Sequence, residues 1–328
     1  MSEVGRPEAA DKGLPGGRGS GATPLTVGPV LVWLSMAAVA IIIAGIVGHV
    51  LEVRETTRAA AHTQARTAAQ LLAENTGRLM DSADFLLDDV AERVQGRPWA
   101  DIASDAALWR GMAADAERFE HVEAVWLNNA DGELRQVSLR FPSPASNASD
   151  RDFFRHFANG GVGPFISEPI VGRVTNKPTF LLTRPLTTPE TGTFRGIVSV
   201  TLDTAYFSSF LETFDLPYNA SIMLVRAADG RVLVSEPEAR TGEVVSAPLL
   251  ERIERGASVG GFREADSVGW MRRLPEWPVY AVVRFDRRAI DAEWRESVVN
   301  YVVIGGLALI ALIGLAAYAR AVERAVRD

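Results

Sequence analysis

Two stretches of this chain carry no charged residue. From Val30 to Gly48 the sequence reads VLVWLSMAAVAIIIAGIVG, and from Ser297 to Ala319 it reads SVVNYVVIGGLALIALIGLAAYA. As a helix, each is long enough to cross about 30 Å of hydrocarbon. Two spans place both termini on one side of a membrane and leave everything between them as one excursion on the other. A cleaved signal peptide fits the first run poorly, because the tail before it is long and the run exceeds the usual secretory core of about 7–15 residues. Arg320, Arg324 and Arg327 follow the second run and Arg6, Lys12 and Arg18 precede the first, whereas Arg54, Arg58 and Arg295 lie on the far side. Short tails weigh more than long translocated segments in setting orientation. The expectation is therefore cytoplasmic termini, with residues 49–296 outside.

Composition narrows the chemistry of the excursion. Cysteine is absent, so disulfides, thiolate nucleophiles and Cys-based metal sites are excluded. A net charge of −7 without a basic stripe argues against a nucleic-acid partner. The sequence holds no HExxH, no GxSxG and no phosphate loop closed by Gly-Lys-Ser/Thr, so neither catalysis nor a cofactor is expected. Residues 1–27, rich in Gly, Pro and small polar side chains, read as a disordered tail.

From the first span to about Val94 there is no proline, and alanine, leucine and charged residues dominate. This predicts one long helix continuing out of the membrane. Ala65, Leu72, Leu79 and Leu86 recur every seven residues, which fits either a seam with a second copy in a homodimer or a face packed on the chain's own domain. A second helix is expected over 96–119, entered through Pro98. Strands follow. VEAVWLNNADGELRQVS (122–138) and ASIMLVRAADGRVLVSE (220–236) are each strand, Ala-Asp-Gly turn, strand, while GIVSVTLDTAYFSSF (196–210) and VYAVVRFDRRAIDAEW (279–294) are each strand, Asp, helix. Two copies of one α+β module are the simplest reading. The second reads as trimmed, without an aromatic and charged insertion to match the segment DRDFFRHF (150–157).

That octapeptide sets two acids, two arginines and a histidine against three phenylalanines. An amphipathic helix explains the mixture with the rings inward, and so does the wall of a cleft in which guanidinium forks hold an anion. His49, His62 and His121 read as structural; His156 alone lies within the octapeptide.

The order of these parts resembles the double Cache sensor domains of bacterial histidine kinases, diguanylate cyclases and chemoreceptors. SDRDFFRHF (149–157), GPFISEPIVGRVTNKPTFLLTRPL (163–186) and FRGIVSVTLDTAYF (194–207) carry the likeness. The resemblance implies an α+β fold of two tandem PAS-like modules on a long helix, flanked by two transmembrane helices. The domain order implied is a cytoplasmic tail (1–27), a first span (28–49), the long and connecting helices (50–118), a membrane-distal module (119–210), a membrane-proximal module (211–296), a second span (297–319) and a cytoplasmic tail (320–328). It also implies a two-pass sensor of the bacterial inner (plasma) membrane with a periplasmic excursion.

In the amino-acid-binding branch of that family an arginine and an aromatic pair hold the ligand carboxylate, and Arg151, Phe153 and Phe154 stand at the similar positions. Where that branch has aspartates for the amino group, this chain has Gly172 and Thr201, so a carboxylate or other anion is the expected small-molecule ligand. Arg151, Phe153, Phe154, His156, Arg173, Lys177 and Arg184 are the candidate ligand-binding residues. Few residues follow Arg320, so the output is expected from a separate membrane kinase, cyclase or other partner, unless the chain is part of a larger receptor. A periplasmic scaffold binding another protein is the alternative, distinguished by a filled module in place of a cleft.

Overall fold

The computed structural model describes residues 27–237 and 240–327. Helix α1 (Val27–Val94) continues unbroken from the first apolar run, as expected. The second helix of the sequence reading is two: α2 (Trp99–Ser104), entered through Pro98, and α3 (Ala106–Arg118). Asp105 makes the break. Its Oδ1 accepts from the Ala107 and Leu108 amides at 2.8 and 2.9 Å, which supplies the N-cap that a new helix start needs. The expected tail 1–27 lies outside the described residues except for Val27, which begins α1.

Two antiparallel sheets follow. The first contains β1 (Val122–Asn129), β2 (Leu134–Val137), β3 (Phe165–Ile166), β5 (Pro178–Thr187) and β6 (Phe194–Leu202) in the order β2-β1-β6-β5-β3, with β4 (Ile170–Val171) paired to β5. Helix α4 (Asp152–Ala158) lies between β2 and β3 in sequence, and α5 (Thr204–Glu212) follows β6. The second contains β7 (Ser221–Arg226), β8 (Val232–Glu236), β9 (Val259–Arg263), β10 (Ser267–Arg273) and β11 (Val279–Asp286) in the order β8-β7-β11-β10-β9. Helix α6 (Ala247–Glu254) sits between β8 and β9, and α7 (Arg287–Arg327) follows β11. In each sheet the first strand of the module pairs with its last, so the duplication extends to topology. The hairpin turns match as well: Gly132 (φ +81°) and Gly230 (φ +68°) both occupy the left-handed region that glycine enters freely.

In the second module α6 stands in the place of α4. Its sequence, APLLERIE, has none of the octapeptide's aromatic residues. Leu249 and Ile253 of α6 are buried with Met223, Val225, Met271, Tyr280 and Val282, so this helix covers part of its sheet face with mainly aliphatic packing.

Strand alternation explains the layers. Val125, Leu127, Phe180, Leu182, Val198 and Val200 of the first sheet, and Ile222, Leu224, Ala281 and Val283 of the second, share a core with Ala65, Leu72, Leu86 and Val90 of α1. Leu79 packs partly buried against the same core. The seven-residue recurrence is thus an internal packing face, and the seam expected of a homodimer is covered by the chain's own sheets. Each large aliphatic side chain so buried contributes about 1.5–3 kcal/mol.

The chain divides into a body, Leu51–Val298, and an apolar unit formed by the segments up to Val50 and from Val299 onward. Within the apolar unit, Trp33, Ile41, Ile304, Leu307 and Ile310 are exposed. No part of the most apolar window of either helix is buried within this chain, unlike the core helix of a soluble protein. Inside this unit Gly305 faces the Ile46 side chain, where a Cβ would crowd it, so the glycine eases the close approach of the two helices.

Candidate ligand-binding cleft

The face of the first sheet turned away from α1 is where the candidate residues must be sought. Trp126 and Asn128 of β1, Ser199 and Thr201 of β6, and Thr179 and Leu181 of β5 share that face by the register of the strands. With Arg151, Phe153, Ile170 and residues 172–175 they line a cavity of about 60 Å³.

Helix α4 forms one wall. Phe153, Phe154 and Phe157 are all buried, as helical spacing brings i, i+1 and i+4 onto one side. Phe153 faces the cavity, whereas Phe154 turns edge-on to Phe194, with ring centroids 5.8 Å apart. Arg151 stands just before the first turn. Its Nη2 donates to the Val171 carbonyl at 3.3 Å; among the described residues this guanidinium makes no other hydrogen bond or ion pair. Most of its forked donors are therefore available to a ligand.

The 172–177 segment closes over the cleft. The Gly172 amide donates to the Lys177 carbonyl at 2.9 Å and the Asn176 amide to the Gly172 carbonyl at 2.8 Å. A Cβ at Gly172 would press on the Thr175 hydroxyl, so the loop is closely packed at this point. Arg173 latches it to the segment before α4, donating to the Asn147 carbonyl and, at 2.6 Å, to Asp150 Oδ2. The hydrogen bond from Arg173 holds the Asp150 carboxyl below the ordinary aspartate range.

The floor is polar but neutral. Trp126 Nε1 donates to Thr201 Oγ1 at 2.6 Å, and Thr183 Oγ1 lies 2.9 Å from Ser199 Oγ. Thr175 Oγ1 is buried without a hydrogen-bond partner among the described residues. The lining holds two arginines and no aspartate or glutamate. Beside the mouth a shallower hollow of about 400 Å³ shares Asn147 and Arg173 and adds Arg140.

Of the candidates named from sequence, Arg151, Phe153 and Arg173 come together here. The structure places the other four elsewhere. Phe154 belongs to the packing just described. His156 stacks on Phe165 at 4.4 Å. Lys177 points outward and pairs with Glu123 at 3.3 Å. Arg184 reaches α1, where its Nε and Nη2 donate to the two carboxylate oxygens of Asp84 at 2.5 and 2.6 Å and its Nη1 lies 3.1 Å from Asp88. The Asp84 hydrogen bond, outweighing burial, raises the Arg184 pKa further. Trp126, Asn128 and Ser199 escaped the sequence reading as site residues. The available signal was the polar pair Ser199 and Thr201 at alternate positions in the otherwise apolar strand GIVSVTL.

Asp152 leaves the cleft in the opposite direction. Its Oδ2 accepts from the Glu168 amide at 2.9 Å and from Arg226 Nη1 at 2.7 Å. Arg226, on β7 of the second sheet, is 8% exposed and also donates to both oxygens of Asp229, at 3.0 and 2.8 Å. The helix that begins just after Arg151 is thereby tied to the second module by an ion network centred on the buried Arg226.

Among the described residues no group of three or more His, Asp or Glu side chains is placed to hold a metal ion. No protein-family profile matches the sequence, and no curated protein does. Solved structures do match. The extracellular domain of a protein assigned as a histidine kinase, rpHK1S-Z16, is 29% identical with a TM-score of 0.62, covering 70% of this chain and 95% of that one. The periplasmic sensory domain of the Campylobacter jejuni chemoreceptor Tlp1 is 11% identical with a TM-score of 0.57, covering 71% and 98%. The ligand-binding domain of the Pseudomonas fluorescens chemoreceptor CtaA, in complex with L-isoleucine, is 15% identical with a TM-score of 0.52, covering 73% and 98%. With two sheets of matching topology on one long helix, this chain has the double Cache fold of the extracytoplasmic sensor domains of histidine kinases and chemoreceptors.

Proposed function

We propose that this protein is a two-pass membrane sensor that binds a small anion, foremost a carboxylate, in the cleft of its first module and transmits occupancy through its membrane helices. The observation that carries the ligand class is the lining itself: two arginines, neutral polar groups and no carboxylate. An ammonium group would find no counter-charge there, while a carboxylate would find the unpaired forks of Arg151. The domain of CtaA holds an amino acid. In this chain Gly172 and Thr201 both line the cavity, so the positions that would answer an amino group offer a loop backbone and a hydroxyl. A cavity of about 60 Å³ admits only a small ligand, which suits a short carboxylate.

The roof supplies a means of transmission. Arg173 bridges the loop to the segment preceding α4, and Asp152 of α4 grips Arg226 of the second module. A ligand that draws Arg151 inward shifts α4 and with it this ion network, biasing two arrangements of the modules. The test is a thermal-unfolding screen of the full chain in detergent against carboxylates, amino acids, amines and purines. Stabilisation by short carboxylates and none by amines is expected. Stabilisation by amines or purines alone would overturn the ligand class.

A further inference from the structure

The second module carries a cavity of its own. Asn219, Ser221, Arg240, Glu264, Ser267 and Arg284 are among the residues lining a bowl of about 500 Å³ at one end of the second sheet. Its position is not arbitrary. Thr201 and Arg284 each stand two residues before the aspartate that caps the next helix: Asp203 accepts from the Ala205 amide at 2.8 Å, and Asp286 from the Arg288 amide at 2.8 Å. Arg284 therefore occupies the sheet position that Thr201 occupies on the floor of the first cleft. Ser221 lies directly across from it on β7. By alternation, both share the face on which Met223 and Val282 pack under α6. Helix α6 fills that face only in part, and the polar end stays open.

The acidic groups around the bowl already have partners. Glu264 accepts from the hydroxyls of Ser246 and Ser267. Asp286 caps α7, and Asp266 lies 3.6 Å from Arg288, both well exposed. The cationic groups are less well matched. Arg284 has one ion pair among the described residues, a loose one to Glu264 at 3.6 Å, with its side chain 17% exposed. Burial first, and then the nearby positive charge of Arg240, depress its pKa, the signature of a guanidinium short of negative charge. The Arg240 side chain forms no ion pair among the described residues. Ser221, 8% exposed, has a buried Oγ with no hydrogen-bond partner among them.

We infer that this bowl is a second anion site, in which Arg284 and Arg240 grip a carboxylate or phosphate group and the Ser221 hydroxyl donates to it. Fork geometry favours a planar or tetrahedral oxyanion over a halide, and the larger volume admits a bulkier group than the first cleft. The anion is either a free solute or the headgroup of an acidic lipid; the chemistry is shared. This site is independent of the first cleft, so either can fail without the other.

The test uses the full chain in nanodiscs of phosphatidylcholine, with and without phosphatidylglycerol, titrated with inorganic phosphate and with citrate. Binding of either probe in phosphatidylcholine discs should weaken at least tenfold in Arg284→Gln and in Arg240→Ala and persist in Arg151→Ala. Arg240→Ala guards against a folding defect, since the Arg240 side chain holds no ion pair among the described residues. Loss of probe binding only when phosphatidylglycerol is present would identify the lipid headgroup as occupant. Unchanged affinity in both bowl variants, or no binding of either probe in either disc, would overturn the inference.

Discussion

Arg151 and Arg184 carry the same charge on the same module and play opposite parts. Arg184 is spent on Asp84 and Asp88 of α1, an interaction that anchors the sheet to the long helix. Arg151 makes one long hydrogen bond to a loop carbonyl. Arg184→Ala should therefore lower the stability of the chain in urea by about 1–2 kcal/mol, the scale of a partly exposed bidentate pair, while leaving ligand-induced stabilisation unchanged. Loss of the ligand response with stability intact would show that Arg184 serves the cleft after all. Sequence could not separate these residues, because both lie in segments that carry the likeness to sensor domains, and only the tertiary approach of α1 decides which arginine finds a carboxylate. Arg151, Phe153 and Arg173 were legible because they sit on one short helix and its facing loop. Trp126, Asn128 and Ser199 were not, since each strand contributes one or two side chains and the site exists only once β1 and β6 pair.

Among the elements, α4 carries the most. Its aromatic face explains burial, including that of Phe157, which helical spacing assigns to the core. Its Asp152 explains the connection to β7, and nothing local in the sequence announced a partner 74 residues away. The two acids of the octapeptide serve different partners: Asp150 pairs with Arg173 of the loop over the cleft, and Asp152 with Arg226 of the other module. Arg226→Met leaves Asp152 and Asp229 facing one another's surroundings without their cation, at a cost of about 2–4 kcal/mol near neutral pH. The pH dependence has a definite sign. Burial raises the Asp229 carboxyl, but the hydrogen bonds from Arg226 and from the Arg231 amide outweigh it, so its folded pKa lies below the ordinary value. In wild type its contribution is present above about pH 4 and is lost as pH falls through the depressed folded value. In the variant the Asp229 carboxyl loses the hydrogen bonds from Arg226 that lower its pKa, so it titrates higher and acidification relieves it. Urea unfolding at a series of pH values should show the gap between the two proteins narrowing from pH 7 toward pH 4; a constant gap would contradict the ion-network account.

For the whole molecule, the tandem architecture was legible from the repeated Ala-Asp-Gly turns and the repeated strand-Asp-helix pattern, because both report local backbone geometry that survives divergence of side chains. The role of the seven-residue recurrence on α1 was not, since an internal face and an intermolecular seam present the same periodicity. Exposed apolar surface on the helices up to Val50 and from Val299 onward supports the proposed two-pass topology. Alkaline phosphatase fused at Ala228 should be active and fused after Asp328 inactive; the reverse pattern would invert the orientation. The claim on which the account turns is narrower, that the first cleft holds its ligand by an arginine. Titration calorimetry of the full chain with the most stabilising carboxylate of the screen tests it directly, comparing wild type with Arg151→Ala. The predicted result is a loss of about 1.5–3 kcal/mol of binding free energy, the value of a hydrogen-bonded charge, with the unfolding midpoint of the unliganded protein unchanged. Equal affinity in the two proteins would place the ligand elsewhere and contradict the account.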